Sequence, residues 1–527
     1  MARRFSFQNT WSLYWRNCDK CGKKALSTYP PEKKIIAYCS ECWWADDWDG
    51  TEYGMDYDPK KTFFAQLTEL KERTPFMMLQ NDHVTIKNSE YSSYIGWSRD
   101  CYLVFWADYC DNVCYSSILN GLRFSSDCLR GFDSELCYES IGFSGNYRTF
   151  FSDECDNCVD VWFSRNCYGC TNCIACVNLR GASYCIFNKK YSKNEYVEEV
   201  RKLGLNSWKA LRELENRAHA FWLERPYREY NGNSLNTNVS GDYVYESRNA
   251  KDMYIVNGAE NCRWCQFITV KPAKDCRDYS GWGNNTSLIY ESINVGEDSY
   301  GVRFSGICWA DCLNLDYCYF CISAKNAFGC VNLKRKNYCI LNKQYPKEEF
   351  FKLREKIIED MKKNPYTDNI GREFRYGEFF PPEFSPYPYN KSNAMRFLPK
   401  TKSQALREGY SWEEEEIHKY DTTIGSADLP DSLEKTDESV LEEVIKCPNC
   451  PRGYKIAKLE LDLLRKMGLP LPHECPRCRE EKRFARLNKP KFFERKCAKC
   501  GEKISTAFSP DRPEIVYCEK CYQAEFL

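Results

Sequence analysis

The stretch Asn157-Cys158-Val-Asp-Val-Trp-Phe-Ser-Arg-Asn166-Cys167-Tyr-Gly-Cys170-Thr-Asn-Cys173-Ile-Ala-Cys176 decides the reading of this chain. Cysteines recur at nine-residue intervals around it: Cys101 and Cys110, Cys128 and Cys137, then, after a phase slip, Cys158, Cys167, Cys176 and Cys185. A second run, within 231–342, repeats the interval at Cys312, Cys321, Cys330 and Cys339. Many of the thiols follow Asp or Asn, as at Asp100, Asp127, Asn157, Asn166, Asn261, Asp275 and Asp311. Asx residues tolerate left-handed backbone and suit a corner, while the aromatic and β-branched residues beyond each thiol suit a short strand. Nine residues therefore read as one corner and one strand. Stacked in parallel about 4.8 Å apart, such units build a β-solenoid, with two units per coil or, alternatively, three, and with Cys packed inside as a small hydrophobe.

The two runs are copies. Cys176-Val-Asn-Leu179, Tyr184-Cys185-Ile186 and Asn188-Lys189 return 154 positions later as Cys330-Val-Asn-Leu333, Tyr338-Cys339-Ile340 and Asn342-Lys343. The expected fold is mainly β with helices: a duplicated parallel solenoid at 81–190 and 231–342. A helical cap and connector is expected at 191–230, opening on the capping box Ser192-Lys-Asn-Glu195. Residues 343–363 read as a second capping helix, opened by Pro346 and carrying Phe350, Leu353, Ile357 and Met361. Residues 61–80 predict a connecting helix, with Phe63, Phe64, Leu67 and Leu70 at helical spacing and Pro75 ending it. Residues 364–446 read as a strap rich in Pro, Phe and Tyr followed by a mobile acidic linker, net −8 over 401–446, with Glu413 to Glu416 consecutive.

Outside the repeats the thiols pair at metal-ligand spacing. Cys18-Asp-Lys-Cys21-Gly and Cys39-Ser-Glu-Cys42 within 1–60 match Cys497-Ala-Lys-Cys500-Gly and Cys518-Glu-Lys-Cys521 near the other end, with seventeen residues between the pairs in both. Cys447-Pro-Asn-Cys450 and Cys475-Pro-Arg-Cys478 form a third set. Each Cys-x-x-Cys spans one edge of a tetrahedron and the loop returns the second pair, so three structural Zn²⁺ sites are expected, with no open coordination position.

With 527 residues the chain is long enough for several domains. Its formal net charge is zero, so any attraction to nucleic acid must be local. No signal-peptide-like apolar run follows Met1 and no stretch reaches membrane-span length, which points to a cytoplasmic protein with reduced thiols rather than a secreted disulfide scaffold. The odd count of 33 cysteines agrees with that reading.

Residues 447–527 are basic, net +7. Arg477, Arg479, Lys482, Arg483, Arg486, Lys489, Lys491, Arg495 and Lys496 run between the last ribbon pairs, interleaved with Phe484, Phe492 and Phe493. Cations neutralise phosphates and aromatic rings stack on unpaired bases, so Phe492 and these basic residues are the candidate RNA or DNA contacts; the competing reading is a solvated face or a surface for another protein. Cys167, Cys170, Cys173 and Cys176 invite a further metal site, but the second copy has Ala324 and Ala327 in place of Cys170 and Cys173, which favours packing thiols. The four histidines, His83, His219, His418 and His473, have no metalloprotease spacing, and no phosphate loop, nucleophile elbow or dinucleotide fingerprint occurs. The chain reads as a non-catalytic binding or scaffold protein. The alternatives are an enzyme with a site in a solenoid groove and a structural component of a larger assembly.

The phrases Asn178-Leu-Arg180 through Tyr184-Cys-Ile-Phe-Asn-Lys-Lys-Tyr191, their second copy, and Cys475-Pro-Arg-Cys478-Arg through Lys496-Cys497-Ala-Lys-Cys500-Gly together resemble a family of uncharacterised cysteine-repeat zinc-ribbon proteins of candidate-phylum bacteria. The resemblance implies repeats plus zinc ribbons, with the ribbon pair ahead of the repeats in that family. Some of its members carry a CaiB/BaiF CoA-transferase label.

Overall fold

The computed structural model describes residues 1–233, 235–414 and 420–526. Glu415 and Glu416 of the acidic run, and His418, lie outside the described residues. The chain is a mixed α/β protein dominated by short parallel strands, and it gathers into two compact units. Unit 1 combines Met1–Leu79, Tyr230–Glu414 and Lys489–Lys491; unit 2 combines Gln80–Glu229, Glu415–Asn488 and Phe492–Leu527.

In unit 2 the first repeat forms two parallel ladders of four-residue strands. One runs Ser93–Gly96, Phe105–Asp108, Ser117–Asn120, Leu129–Phe132 and Ile141–Ser144; the other begins at Arg99–Tyr102 and ends at Ser183–Ile186. Neighbouring strands are offset by 12 residues, Ser93 opposite Phe105 and Phe105 opposite Ser117. This corrects the nine-residue unit. The elementary step is three residues: from Tyr94 to Phe187 every third residue has φ between 43° and 71°. The seven Asx residues named above are left-handed as expected, but Trp106, Ile118 and Phe151 occupy equivalent positions. Cysteines nine apart are three steps apart, so they lie on different sides of the stack. The thiols that sit above one another are 12 apart, as Cys173 and Cys185 do.

From Ile95 to Cys176 the residue after each left-handed one is buried, and it is usually Cys, Ser, Val, Leu or Ala. Hydrogen bonding explains the choice. Ser164 Oγ donates to the Trp162 carbonyl at 2.9 Å and accepts the Cys176 N–H at 2.9 Å. Cys262 does the same, donating to the Glu260 carbonyl at 3.2 Å and accepting the Cys276 N–H at 3.4 Å. A buried peptide group needs a partner, and a short X–H side chain inside the stack supplies one for two peptides at once.

The second repeat, in unit 1, joins fifteen strands in one sheet. Its offsets vary: 12 at Gly241 opposite Met253, 13 at Tyr300 opposite Leu313, and 12 again at Leu313 opposite Lys325. Where the offset is 13, paired left-handed residues such as Glu297 and Asp298, or Ala310 and Asp311, absorb the extra residue.

The ribbons and helices pack on these ladders. In unit 1 the helix Phe63–Arg73 buries Phe63, Phe64, Leu67 and Leu70. The helix Lys347–Lys363 buries Phe350, Ile357 and Met361 and lays Phe350 against Tyr338, ring centroids 5.8 Å apart. The strap is a core element rather than a linker: Phe379, Phe380, Phe384, Tyr387 and Tyr389 are buried, and Phe7 stacks on Phe380 at 5.5 Å. In unit 2 the helix Lys193–Leu203 has the Ser192 and Glu195 capping box and packs beside the strand Ser183–Ile186, with Tyr196 on Tyr184 at 5.6 Å. The described part of the acidic segment is also packed rather than a free tether, since Leu429, Val440 and Ile445 are buried. Burial of apolar residues on both sides of the acidic positions outweighs their mutual repulsion, which local composition alone does not reveal.

Candidate metal centres

Each ribbon begins with a hairpin whose turn carries the first Cys pair. In the first, Tyr14–Asn17 pairs antiparallel with Lys24–Ser27; in the last, Phe493–Lys496 pairs with Lys503–Thr506 in the matching register. Gly22 and Gly501 follow the second Cys with φ of 75° and 77°, where a side chain would be strained. Their N–H groups bond the carbonyls of Cys18 and Cys497, both at 2.9 Å. The return pair sits at the start of a helix, Ser40–Trp44 in the first ribbon and Glu519–Phe526 in the last.

The expected ligands converge in three quartets: Cys18, Cys21, Cys39 and Cys42; Cys447, Cys450, Cys475 and Cys478; Cys497, Cys500, Cys518 and Cys521. Within each, all ligand atoms lie within 4.8 Å of one another. The Sγ separations are 3.9 Å for Cys21 and Cys39, 3.6 Å for Cys450 and Cys475, and 3.7 Å for Cys500 and Cys518. A tetrahedron with Zn–S bonds of about 2.3 Å has edges of about 3.8 Å, so the thiols fit a Zn²⁺ ion with little rearrangement.

The surrounding backbone favours thiolates. The Cys39 N–H donates to Cys18 Sγ at 3.2 Å and the Cys518 N–H to Cys497 Sγ at 3.2 Å. Burial alone pushes these thiols up, but N–H groups outweigh it: those of Cys21, Cys39 and Lys20 bring Cys18 down to about 7, and those of Cys500, Cys518 and Lys499 bring Cys497 down to about 6. Each quartet is a closed four-sulfur set, suited to holding structure rather than activating water.

The basic residues expected to meet nucleic acid divide into two groups. Arg479 and Arg483 are buried in unit 2: Arg479 bonds Glu460 at 2.7 Å, and Arg483 pairs with Asp127 at 2.8 Å and Glu139 at 3.1 Å. Arg486 pairs with Asp153. Arg477 pairs with Glu481, Lys482 with Glu474, and Arg495 donates to the carbonyls of Ser509 and Glu514. Lys489 donates to the Arg396 carbonyl at 2.8 Å. Lys491, Phe492 and Lys496 are exposed. Arg479 and Arg483 therefore fasten the helix Pro476–Arg486 to the first ladder and are closed to a ligand. Sequence reading did not single out their partners Asp127, Glu139 and Glu460 as such, because nothing local marks a carboxylate that pairs across hundreds of residues.

No family model matches the chain, and no curated protein matches it. A crystal structure from Desulfovibrio desulfuricans G20, whose title offers it as an acetyltransferase, is similar at 10% identity over 50% of this chain and 71% of that one, with a TM-score of 0.12. A likeness that slight carries no argument about fold or activity. Among the described residues no helix is long and apolar enough to cross a membrane.

Proposed function

We propose that this is a zinc-held binding protein without a catalytic role, in which three Zn(Cys)₄ ribbons brace two β-solenoids that serve as rigid scaffolds. The convergence of twelve thiols into three quartets with tetrahedral edge lengths carries the zinc part of the reading. The solenoid part rests on the three-residue left-handed step and the 12-residue register, which together give coils of four three-residue sides. Metal analysis of the purified full chain tests the zinc part, with about three zinc ions per molecule expected.

Nucleic acid is the partner this reading favours, with another protein as the alternative, and the candidate binding surface narrows to the exposed hairpin of the last ribbon. Lys496 and Lys503 face each other across the strand pair. Like charges directly opposite are destabilising, so their pairing favours a surface kept for an anion. Together with Glu494, Arg495 and Pro510 they line a groove of about 440 Å³, and Phe492 is exposed just before it. Binding of single-stranded RNA and DNA should be measured against salt concentration for the native chain and for K496E/K503E. A slope of log affinity on log salt reduced by about 1.4 in the variant supports the reading, at about 0.7 for each phosphate no longer neutralised. Salt-independent or undetectable binding removes it.

A further inference from the structure

The interior thiols of the first ladder are not spread evenly. From Cys155 to Cys185 the inward positions fall every third residue, and seven of these eleven are Cys, including all four of one coil at Cys167, Cys170, Cys173 and Cys176. They form one connected, buried cluster. The 12-residue register stacks Cys155 against Cys167, Cys158 against Cys170 and Cys173 against Cys185. Elsewhere in the same ladder Ser fills the inward position, as at Ser116, Ser140 and Ser152, and makes the same bonds to the backbone. Backbone satisfaction explains a short X–H side chain at each place. It does not explain why sulfur is concentrated in one segment.

Two further observations bear on that segment. Among the described residues, groups of three or more ligand atoms all within 4.8 Å of one another occur at the three ribbon quartets and not among these interior thiols. The interior thiols are thus stacked in pairs without forming the tetrahedral sets that Zn²⁺ takes. Access differs between the copies as well. In unit 1 the turn Gly50–Tyr53 closes over the ladder end, with Asn342 donating to the Gly50 carbonyl at 2.9 Å and Leu333 fully buried. In unit 2 the matching Leu179, and Ala182 after it, are only half-buried beside Cys185.

We propose that the thiol column Cys155 to Cys185 is a binding site for soft, low-coordinate monovalent metal cations, of which Cu(I) is the probe. Thiolates select such ions, and a closed-shell cation content with two sulfur ligands fits thiols stacked in pairs. Each ion that enters displaces thiol protons to solvent, with no change of oxidation state. The half-open end at Leu179 and Ala182 is the entry. The site is separate from the ribbons, and its failure would leave the zinc reading intact.

The test is anaerobic titration of the fully reduced, zinc-loaded full chain with Cu(I) against a chromophoric copper chelator, following copper bound, zinc released and thiolate-to-copper charge-transfer absorbance. About three Cu(I) per chain, roughly one per thiol pair, are expected without release of zinc. The variant C170A/C173A carries the residues that the second copy has at Ala324 and Ala327, so the fold has a precedent for it. It should lose at least half of that copper. C158S/C170S keeps the X–H bonds to the backbone and should lose copper likewise, which guards against a variant that fails through packing. Copper uptake matched one for one by zinc release, or uptake unchanged in both variants, overturns the proposal.

Discussion

Trp43 stands edge-on to Phe320, ring centroids 5.3 Å apart with planes at 71°. The last ribbon repeats the arrangement in unit 2, where Tyr522, at the position matching Trp43, accepts a hydrogen bond from Asn166, the residue 154 positions before Phe320. Fourteen residues further along each repeat the pattern continues: Lys334 donates to the Trp43 carbonyl at 2.9 Å, and its counterpart Arg180 donates to the Asn166 carbonyl at 2.6 Å. Each repeat thus seats a copy of the same ribbon at the same place, the first ribbon on the second repeat and the last ribbon on the first. Trp43→Ala should cost about 3–5 kcal/mol, since the indole is fully buried. Urea unfolding followed by tryptophan fluorescence checks it, and a loss below about 1 kcal/mol would show that the seat does not hold unit 1 together.

Zinc removal should act on the ribbons before the ladders. Folding free energy of modules this small is largely metal-binding free energy, so a strong chelator should unfold the hairpins while the parallel strands persist. Hydrogen exchange should show amides of Tyr14–Asn17 and Phe493–Lys496 losing protection at once and those of Thr171–Ile174 keeping theirs. Cys21→Ser, Cys450→Ser and Cys500→Ser should each lower the zinc content by about one.

The ladder's hydrogen-bond logic can be tested at Ser164. Ser164→Ala leaves the Trp162 carbonyl without its second donor and the Cys176 N–H without an acceptor, and should destabilise unit 2 by about 1–3 kcal/mol. Ser164→Cys retains both bonds and should cost less than Ser164→Ala. The reverse order in thermal melts would refute the role given to the inward X–H groups.

Acid should weaken unit 2 through two histidines. His219 packs on Trp222 at 4.6 Å and His473 stacks on Trp208 at 4.6 Å; burial, first of all, pulls both down from the ordinary 6.5 to about 4. The folded state resists the proton that the unfolded chain accepts, so this contribution is complete above about pH 6.5 and is lost as pH falls toward 4. H219Q/H473Q should flatten the fall in urea midpoint between pH 7 and pH 5, measured on the same samples for zinc retention. An unchanged slope would assign the acid sensitivity elsewhere.

Arg483→Met should destabilise unit 2 by about 3–5 kcal/mol, because Asp127 and Glu139 are left with a buried charge deficit. Any nucleic-acid binding by the folded fraction should keep its salt slope, in contrast to K496E/K503E. A changed slope in Arg483→Met would mean that the guanidinium reaches a phosphate after all.

What could be read from the amino acids alone was whatever is local or strictly periodic. The Cys-x-x-Cys pairs name their own partners by spacing, and the helix Phe63–Arg73 shows its apolar face in four residues. The capping box at Ser192 fixes a helix start to the residue. The three-residue step was hidden because Cys marks only some of the inward positions; Ser, Val and Leu fill the others, and the eye follows the sulfur to a period of nine. The fate of Arg483 was hidden for another reason: its spacing in a basic run looks the same whether the guanidinium meets water, phosphate or Asp127. The prolines of the strap at Phe379 and Phe380 forbid regular structure and so look like a linker in the sequence, although irregular backbone can still bury rings.

The seating of Trp43 on Phe320 also constrains biosynthesis. A ribosome releases the first ribbon long before the strands that receive it, and in the interval the nascent chain must make the whole of the other unit's ladder. That ladder in turn waits for Tyr522 at the far end. Neither half can be cut out as a continuous fragment and be expected to close, so a truncation series would yield unfinished bodies at every length short of the last ribbon.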